Sequence, residues 1–187
     1  YWLHNGFITI NSEKMSKSLN NFFLVKDVLE HYSPDALRFF LISNHYRSPL
    51  DFSDERLEEM TRSLERLGTA IDNVLELLAM PAGAKSPEAQ QLLETAHKDE
   101  EAFENAMCDD FNTALASAAM FDLAKNVNIF KNAVVNNGVP VDSAALSEVK
   151  RVFKTFTDIL GILEDRWTGK KEDASSKDYD DLMQAIL

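Results

Sequence analysis

The best-marked pattern in the chain is a run of apolar residues at steps of three and four: Leu57, Met60, Leu64, Leu67, Ile71, Val74 and Leu78. That spacing keeps one helical face apolar, so it predicts a long helix lying against other helices. A second seam, Leu146, Val149, Phe153, Phe156, Leu160 and Leu163, repeats it. Between the two, a more polar helix is expected from Glu88 to Met107. Asp109-Asp110-Phe111-Asn112 then breaks the pattern and caps another helix to about Asn132, with Leu115, Ala119, Leu123, Val127 and Phe130 inward. The connections are short and polar: Pro81, Gly83, Ser86 and Pro87 follow the long helix, and Asn136 to Pro140 reads as a turn. Four such faces specify an antiparallel helical bundle. Each seam is flanked by helices able to cover it, so these are core positions and not a leucine zipper.

Before residue 57 the pattern changes. Phe7-Ile8-Thr9-Ile10, behind Gly6 and ahead of Asn11-Ser12, predicts a strand, with Tyr1 to His4 as the candidate partner in a hairpin. Glu13 to Asn21 is polar and rich in Ser, Lys and Asn, which predicts an exposed, mobile loop. Val25, Val28, Leu29 and Tyr32 have helical spacing, and Ser33-Pro34 starts a second helix, Asp35 to Ser43, apolar on most sides and therefore expected to be buried. Ser48 to Phe52 is extended, and Ser53 caps the long helix. Residues 7 to 79 thus read strand, helix, helix, strand, helix, and the whole is mainly α. Glu164 to Asp178 is a linker by composition. Tyr179, Leu182, Met183 and Ile186 begin a further helical pattern that stops at Leu187. With an opening at Tyr1-Trp2-Leu3, both ends predict a piece of a longer protein.

Composition narrows the class. The 187 residues, 45% hydrophobic and 27% charged, suffice for a substantial core and exclude a disordered tail, a collagen-like fibre and a disulfide scaffold. A net charge of −12 argues against coating nucleic acid by bulk charge. The excess is not uniform, however: residues 1–50 carry +1 and the remainder −13. The single cysteine, Cys108, cannot form an internal disulfide, and the absence of a spanning apolar run or a signal peptide predicts a cytoplasmic protein with no membrane partner.

Candidate chemistry is concentrated in Lys14-Met15-Ser16-Lys17-Ser18, where two cations three residues apart share a segment with two hydroxyls directly after a strand. Such a segment can fold over a polyphosphate, and its ammonium groups can stabilise the charge that develops as pyrophosphate leaves. The plain alternative is a solvated loop. His45-Tyr46-Arg47-Ser48 combines an aromatic, a guanidinium and further donors at the end of the second helix, which suits a sugar-phosphate backbone or an adenylate. Its alternative is a structural turn with Arg47 paired to a nearby carboxylate. Arg38 is read as structural, Cys108 as a small packed hydrophobe, and His31 and His97 as surface residues.

Lys14 to Ser18 matches the KMSKS signature of class I aminoacyl-tRNA synthetases. Tyr1-Trp2-Leu3-His4-Asn5-Gly6 before it, Ser33 to Phe40 after it, Ser43 to Leu50 and Asp109 to Thr113 narrow the resemblance to cysteinyl-tRNA synthetase. The resemblance implies that the loop closes over ATP, accompanied by Mg, during cysteine activation. Lys17 is then the first choice and Lys14 the second for catalysis and ATP binding, with Ser16 and Ser18 shaping the loop and hydrogen-bonding. Trp2 and His4 would face the adenine or the amino acid, and His45, Tyr46 and Arg47 would face tRNA or the adenylate. It also implies a domain plan: residues 1–24 end the catalytic domain, 25–80 form the stem-contact fold, 86–163 a DALR-type helical bundle, and 164–187 a linker with the start of a further helix towards an anticodon-binding domain. The partners are tRNA(Cys), ATP and cysteine, and the parent is expected to be monomeric.

The departures from the family are Asn20, where Gly is usual, and Ala114, where Pro is common. In such enzymes the His-Ile-Gly-His signature and the zinc ligands lie before the position of Tyr1, so no metal is expected in this chain and the piece alone is expected to be inactive. Two rivals share part of the pattern. One is a cysteine ligase acting on a small amine, as in the mycothiol pathway; the other is a non-enzymatic helical interaction module in which the Lys14 to Ser18 string is accidental.

Overall fold

Short polar side chains start the long helices. In the computed structural model, which describes residues 2–10, 13–16 and 24–169, the Ser33 hydroxyl accepts from the Ala36 amide, Ser53 from Arg56, Ser86 from Ala89, Asn112 from Leu115, and Asp142 from Ala144 and Ala145. Each bond satisfies an amide that the helix itself leaves free. The elements that result are β1 (Ile8–Ile10), β2 (Glu13–Lys14), α1 (Val25–Leu29), α2 (Pro34–Ile42), β3 (Leu50–Phe52), α3 (Asp54–Ala79), α4 (Pro87–Cys108), α5 (Thr113–Asn137), α6 (Ser143–Leu160) and α7 (Glu164–Thr168).

The three strands form one small mixed sheet in the order β2-β1-β3. β1 and β2 are antiparallel, with Thr9 opposite Lys14, and β1 and β3 are parallel, with Thr9 opposite Asp51. The chain therefore crosses from β1 to β3 through α1 and α2, as a parallel pair requires. The hairpin partner of β1 is Glu13–Lys14 and not the segment before it. Only two residues separate Ile10 from Glu13, so the chain folds straight back, and Glu13 and Lys14 leave the predicted loop to become a strand. The lead-in is held differently: the Gly6 amide donates to the Tyr46 carbonyl at 2.7 Å, and the Leu50 amide to the Phe7 carbonyl at 2.9 Å.

Helices α3 to α6 make the antiparallel bundle that the periodicity predicts, and α2 and α7 pack on it. Phe103 and Phe156 stack at its centre, 4.3 Å between ring centroids, and Phe39 meets Phe121 edge-on. A smaller cluster of Val28, Phe40, Leu50 and Leu57 joins α1, α2, β3 and the start of α3, and Met60 touches both cores.

Several boundaries and faces differ from the sequence expectation. Helix α5 runs on to Asn137, because nothing stops it before Gly138, which takes the left-handed conformation at φ 67°. Its inward face is Ala116, Met120, Leu123, Val127, Phe130 and Val134, an unbroken four-three series, so Leu115 points outward. On α3 the seam closes with Leu77 rather than Leu78, which is half-buried. Helix α2 is two-sided: Ala36, Phe39 and Phe40 are buried while Leu41 is exposed. Cys108 is exposed, because Phe103 and Ala106 take the inward positions of that turn of α4.

Residues 164–168 are a docked helix instead of linker. Gly161 and Leu163 both have positive φ and turn the chain back, the Leu163 amide donates to Asp35 Oδ2 at 2.7 Å, and Trp167 packs edge-on against Phe153 while its indole N–H donates to Thr157 Oγ1. Residues 170–178 of that segment and the Tyr179 to Ile186 pattern lie outside the described residues. Among those residues no helix is long and apolar enough to cross a membrane.

Candidate functional site

Sequence places the candidate chemistry at the sheet, and the sheet fixes half of it. Thr9 in the middle of β1 donates its hydroxyl to Asp51 Oδ1 at 2.6 Å, locking β1 to β3, and the Met15 amide reaches the Ile8 carbonyl at 3.4 Å. Lys14 ends β2 on the outer edge, with its ammonium 4.7 Å from the centroid of the Phe7 ring. That contact holds the cation over an aromatic face, where the ring's negative potential favours it. Ser16 follows, half-buried. Lys17, Ser18 and Asn20 lie outside the described residues. Trp2 and His4 stand exposed in the extended segment that leads into β1, Trp2 being 93% exposed.

The second candidate, His45-Tyr46-Arg47, is a tight turn between α2 and β3, closed by the Ser48 amide on the His45 carbonyl. The His45 ring stacks on Tyr46 at 4.8 Å, and the Arg47 guanidinium lies over the Tyr46 ring, 5.4 Å from its centroid. All three converge on one carboxylate in the bundle. The Tyr46 hydroxyl donates to Asp110 Oδ1 at 2.9 Å, Arg47 Nη2 lies 2.9 Å from Asp110 Oδ2, and His45 Nε2 lies 3.7 Å from the same oxygen. Arg47 Nε also donates to the Tyr46 hydroxyl. Arg47 thus has the carboxylate partner that the plain reading of this segment anticipates, while its side chain stays 65% exposed.

Asp110 and Gly6 are the residues the sequence reading undervalued. Asp110 belongs to the connection between α4 and α5, where it and Phe111 both have positive φ, 56° and 55°. A signal was present: an acidic pair just before an Asn cap is a place where the chain can turn through the left-handed region. Gly6 is required by contact, since a Cβ there would lie 2.3 Å from the Ser48 carbonyl oxygen.

Elsewhere the charged groups support the bundle. Arg151 grips Glu100 through two nitrogens and reaches Glu148, whose carboxyl is held below the usual range first by that guanidinium and then by His97. His97 therefore pairs at the surface, 3.4 Å from Glu148. Arg38 reaches the turn at Gly161, in keeping with a structural role. Among the described residues no three His, Cys, Asp or Glu side chains are grouped to hold a metal ion.

Comparison with known proteins agrees with this arrangement along most of the chain. A family described as tRNA synthetases class I (C) catalytic domain matches residues 1–62, and the DALR domain family matches residues 102–164. The cysteine–tRNA ligase of Desulforamulus reducens is 48% identical over 174 residues, covering 91% of this chain and 36% of that protein. Those of Pelotomaculum thermopropionicum and Heliobacterium modesticaldum are 47% and 40% identical over 88% and 100% of the chain. The chain spans a little over a third of the length of these relatives, 34% to 39%. The LeuRS of Agrobacterium radiobacter K84, solved as a ternary complex with tRNA and LeuAMS, shares the fold at a TM-score of 0.66 and 20% identity, over 88% of this chain and 21% of that one. Sequence string, sheet, bundle and relatives agree: over most of its length this chain matches the catalytic and DALR domains of the cysteinyl-tRNA synthetases.

Proposed function

We propose that the chain supplies the ATP loop and the tRNA-facing helices of an enzyme that activates cysteine with ATP and transfers it to tRNA(Cys). The observation that carries this reading is the Lys14 to Ser18 string, whose first residue ends β2, in a chain 48% identical to a cysteine–tRNA ligase. In the first step the cysteine carboxylate attacks the α-phosphorus of ATP, giving cysteinyl adenylate and pyrophosphate. Negative charge builds on the departing pyrophosphate, and the Lys17 and Lys14 ammonium groups stabilise it, with the Ser16 and Ser18 hydroxyls hydrogen-bonding and shaping the loop. Magnesium bound with ATP supplies further charge neutralisation; no residue of this chain is assigned to it. In the second step the cysteinyl group passes to the 3′ end of the tRNA.

The remaining assignments follow the same reading. Trp2 and His4, exposed beside β1, face the adenine or the amino acid. His45, Tyr46 and Arg47 meet tRNA or the adenylate through the exposed flank of the Arg47 guanidinium. Residues 1–24 close the catalytic domain, 25–80 are the stem-contact fold, 86–163 the DALR-type bundle, and 164–187 lead towards an anticodon-binding domain. The test is cysteine-dependent ATP–pyrophosphate exchange by the full-length enzyme. Lys17→Ala should lower its kcat by about 100-fold, the scale of losing one charge-stabilising donor, and Lys14→Ala by less. Unchanged exchange in Lys17→Ala sinks the loop assignment, and charging of a small amine in place of tRNA(Cys) sinks the substrate.

A further inference from the structure

We infer that Asp110 is a positioning residue for Lys14 on the β1–β2 hairpin: from the α4–α5 corner of the bundle it fixes the His45 to Arg47 turn, and through that turn Gly6 and the start of β1. The inference rests on the reading of Lys14 to Ser18 as the ATP loop.

Two grips meet in Tyr46. Its side chain is held by the bundle, with the hydroxyl donating to Asp110 Oδ1 at 2.9 Å. Its carbonyl oxygen holds the sheet, accepting from the Gly6 amide at 2.7 Å. Gly6 packs so closely on the 47–48 backbone that no Cβ fits, so a displacement of the turn is passed to Gly6 without slack. Two residues after Gly6 the chain enters β1, whose partner β2 ends in Lys14. The path from the bundle is thus Asp110, Tyr46, Gly6, β1, Lys14, linked by two hydrogen bonds, a close contact, two residues of chain and a strand pair.

Asp110 is also built to stay in place. Its backbone and that of Phe111 occupy the left-handed region, which side chains rarely adopt, and the Phe111 and Asn112 amides are tied to the Met107 and Ala106 carbonyls. The carboxylate takes Arg47 on Oδ2 while Tyr46 takes Oδ1, so both oxygens are used and the turn cannot rotate about a single bond. The joint is a charge-fixed tie between the α4–α5 corner of the bundle and the hairpin that carries Lys14.

The experiment uses the full-length enzyme with Asp110→Ala, Asp110→Asn, Tyr46→Phe and the double variant Asp110→Ala/Tyr46→Phe. Hydrogen exchange at the Gly6 and Ile8 to Ile10 amides should accelerate at least tenfold in Asp110→Ala. In ATP–pyrophosphate exchange the kcat should fall about tenfold with the KM for cysteine unchanged, because the path ends at Lys14, which meets the departing pyrophosphate. Asp110→Asn keeps an acceptor for Tyr46 and should fall between wild type and Asp110→Ala. The double variant should be no worse than the more impaired single one, because both act along one path. Unaltered amide exchange, kinetic constants within twofold of wild type, or a loss that changes both KM values together with the melting temperature would overturn the inference. A wild-type enzyme without cysteine-dependent exchange would instead remove the functional reading, and the Gly6 and β1 amides would still decide the joint.

Discussion

Asp99 puts a half-buried carboxylate on the inward series of α4. On α4 the inward series runs Ala89, Leu92, Ala96, Phe103 and Ala106, and Asp99 stands where that series calls for an apolar residue. Its Oδ2 is shielded from solvent and has no hydrogen-bond partner among the described residues. Burial first, and Asp122 across the groove second, push its pKa from 3.8 up to about 6, against the opposing pull of a hydrogen bond with Asn126. The folded state therefore holds the proton more tightly than the unfolded chain. Stability from this group is complete below about pH 4 and is lost as pH rises through about 6, the reverse of an ordinary salt-bridged carboxylate. Asp99→Asn keeps the shape and removes the charge. It should raise the melting temperature at pH 7.5 by about 2–4 °C, the shift expected in a chain of this size for the roughly 1 kcal/mol left after solvent screening of a half-exposed carboxylate, and most of that gain should be lost at pH 4.5. Thermal melts at the two pH values decide it, since a gain equal at both would mean that charge is not the cause. The position was legible in the three-four spacing, but composition concealed it: His97-Lys98-Asp99-Glu100-Glu101 reads as a solvated stretch. Lys14 to Ser18 stands out in the sequence for the opposite reason, since the proposed chemistry is carried by the string itself and needs no burial to be seen.

Helix ends show which local rules suffice at the scale of elements. The caps at Ser33, Ser53 and Asn112 form as their residue types direct, because each serves its own first turn. Docking of a short element is decided elsewhere: α7 holds through Trp167 on Phe153 and through the Arg166 bond to Asp72 on α3, contacts that no local pattern specifies. The two glycine stops illustrate the distinction. Gly138 and Gly161 end α5 and α6 with nearly the same φ, 67° and 65°. A Cβ on Gly138 meets nothing within 4 Å, whereas one on Gly161 would lie 2.4 Å from Arg38 Nη1. Gly138→Ala should cost about 1 kcal/mol, the backbone term alone. Gly161→Ala should cost about 2 kcal/mol, because it also displaces a cation from the C-terminal end of α6. Urea titration of both variants, with and without Arg38→Ala, tests this: the Arg38→Ala background should bring the two glycine costs together, and a difference that persists there would rule out the guanidinium as its source.

At the scale of the molecule the two cores are unequal, and the smaller one lies under the strands that carry the proposed site. The bundle core continues from Ala36 and Phe39 on α2 to Leu163, whereas the sheet stands on Val28, Phe40, Leu50 and Leu57 with a few half-buried neighbours. Cutting a buried Leu or Phe to Ala costs roughly 2–5 kcal/mol. The small cluster cannot absorb that loss, and the large one can lose the small one without losing its own contacts. Local opening of the sheet should therefore be separable from unfolding of the bundle, in one direction only. Leu57→Ala should accelerate hydrogen exchange across β1 and β3 and leave the α5 and α6 amides protected. Phe156→Ala, which removes the ring stacked on Phe103, should weaken protection in α4 to α6 and in the sheet as well, because α2 and α3 contribute to both cores. Exchange measured by mass spectrometry on the two variants separates the cases. Equal loss of protection in sheet and bundle on Leu57→Ala would mean a single cooperative unit, and would leave the strand that carries Lys14 as rigid as the helices behind it.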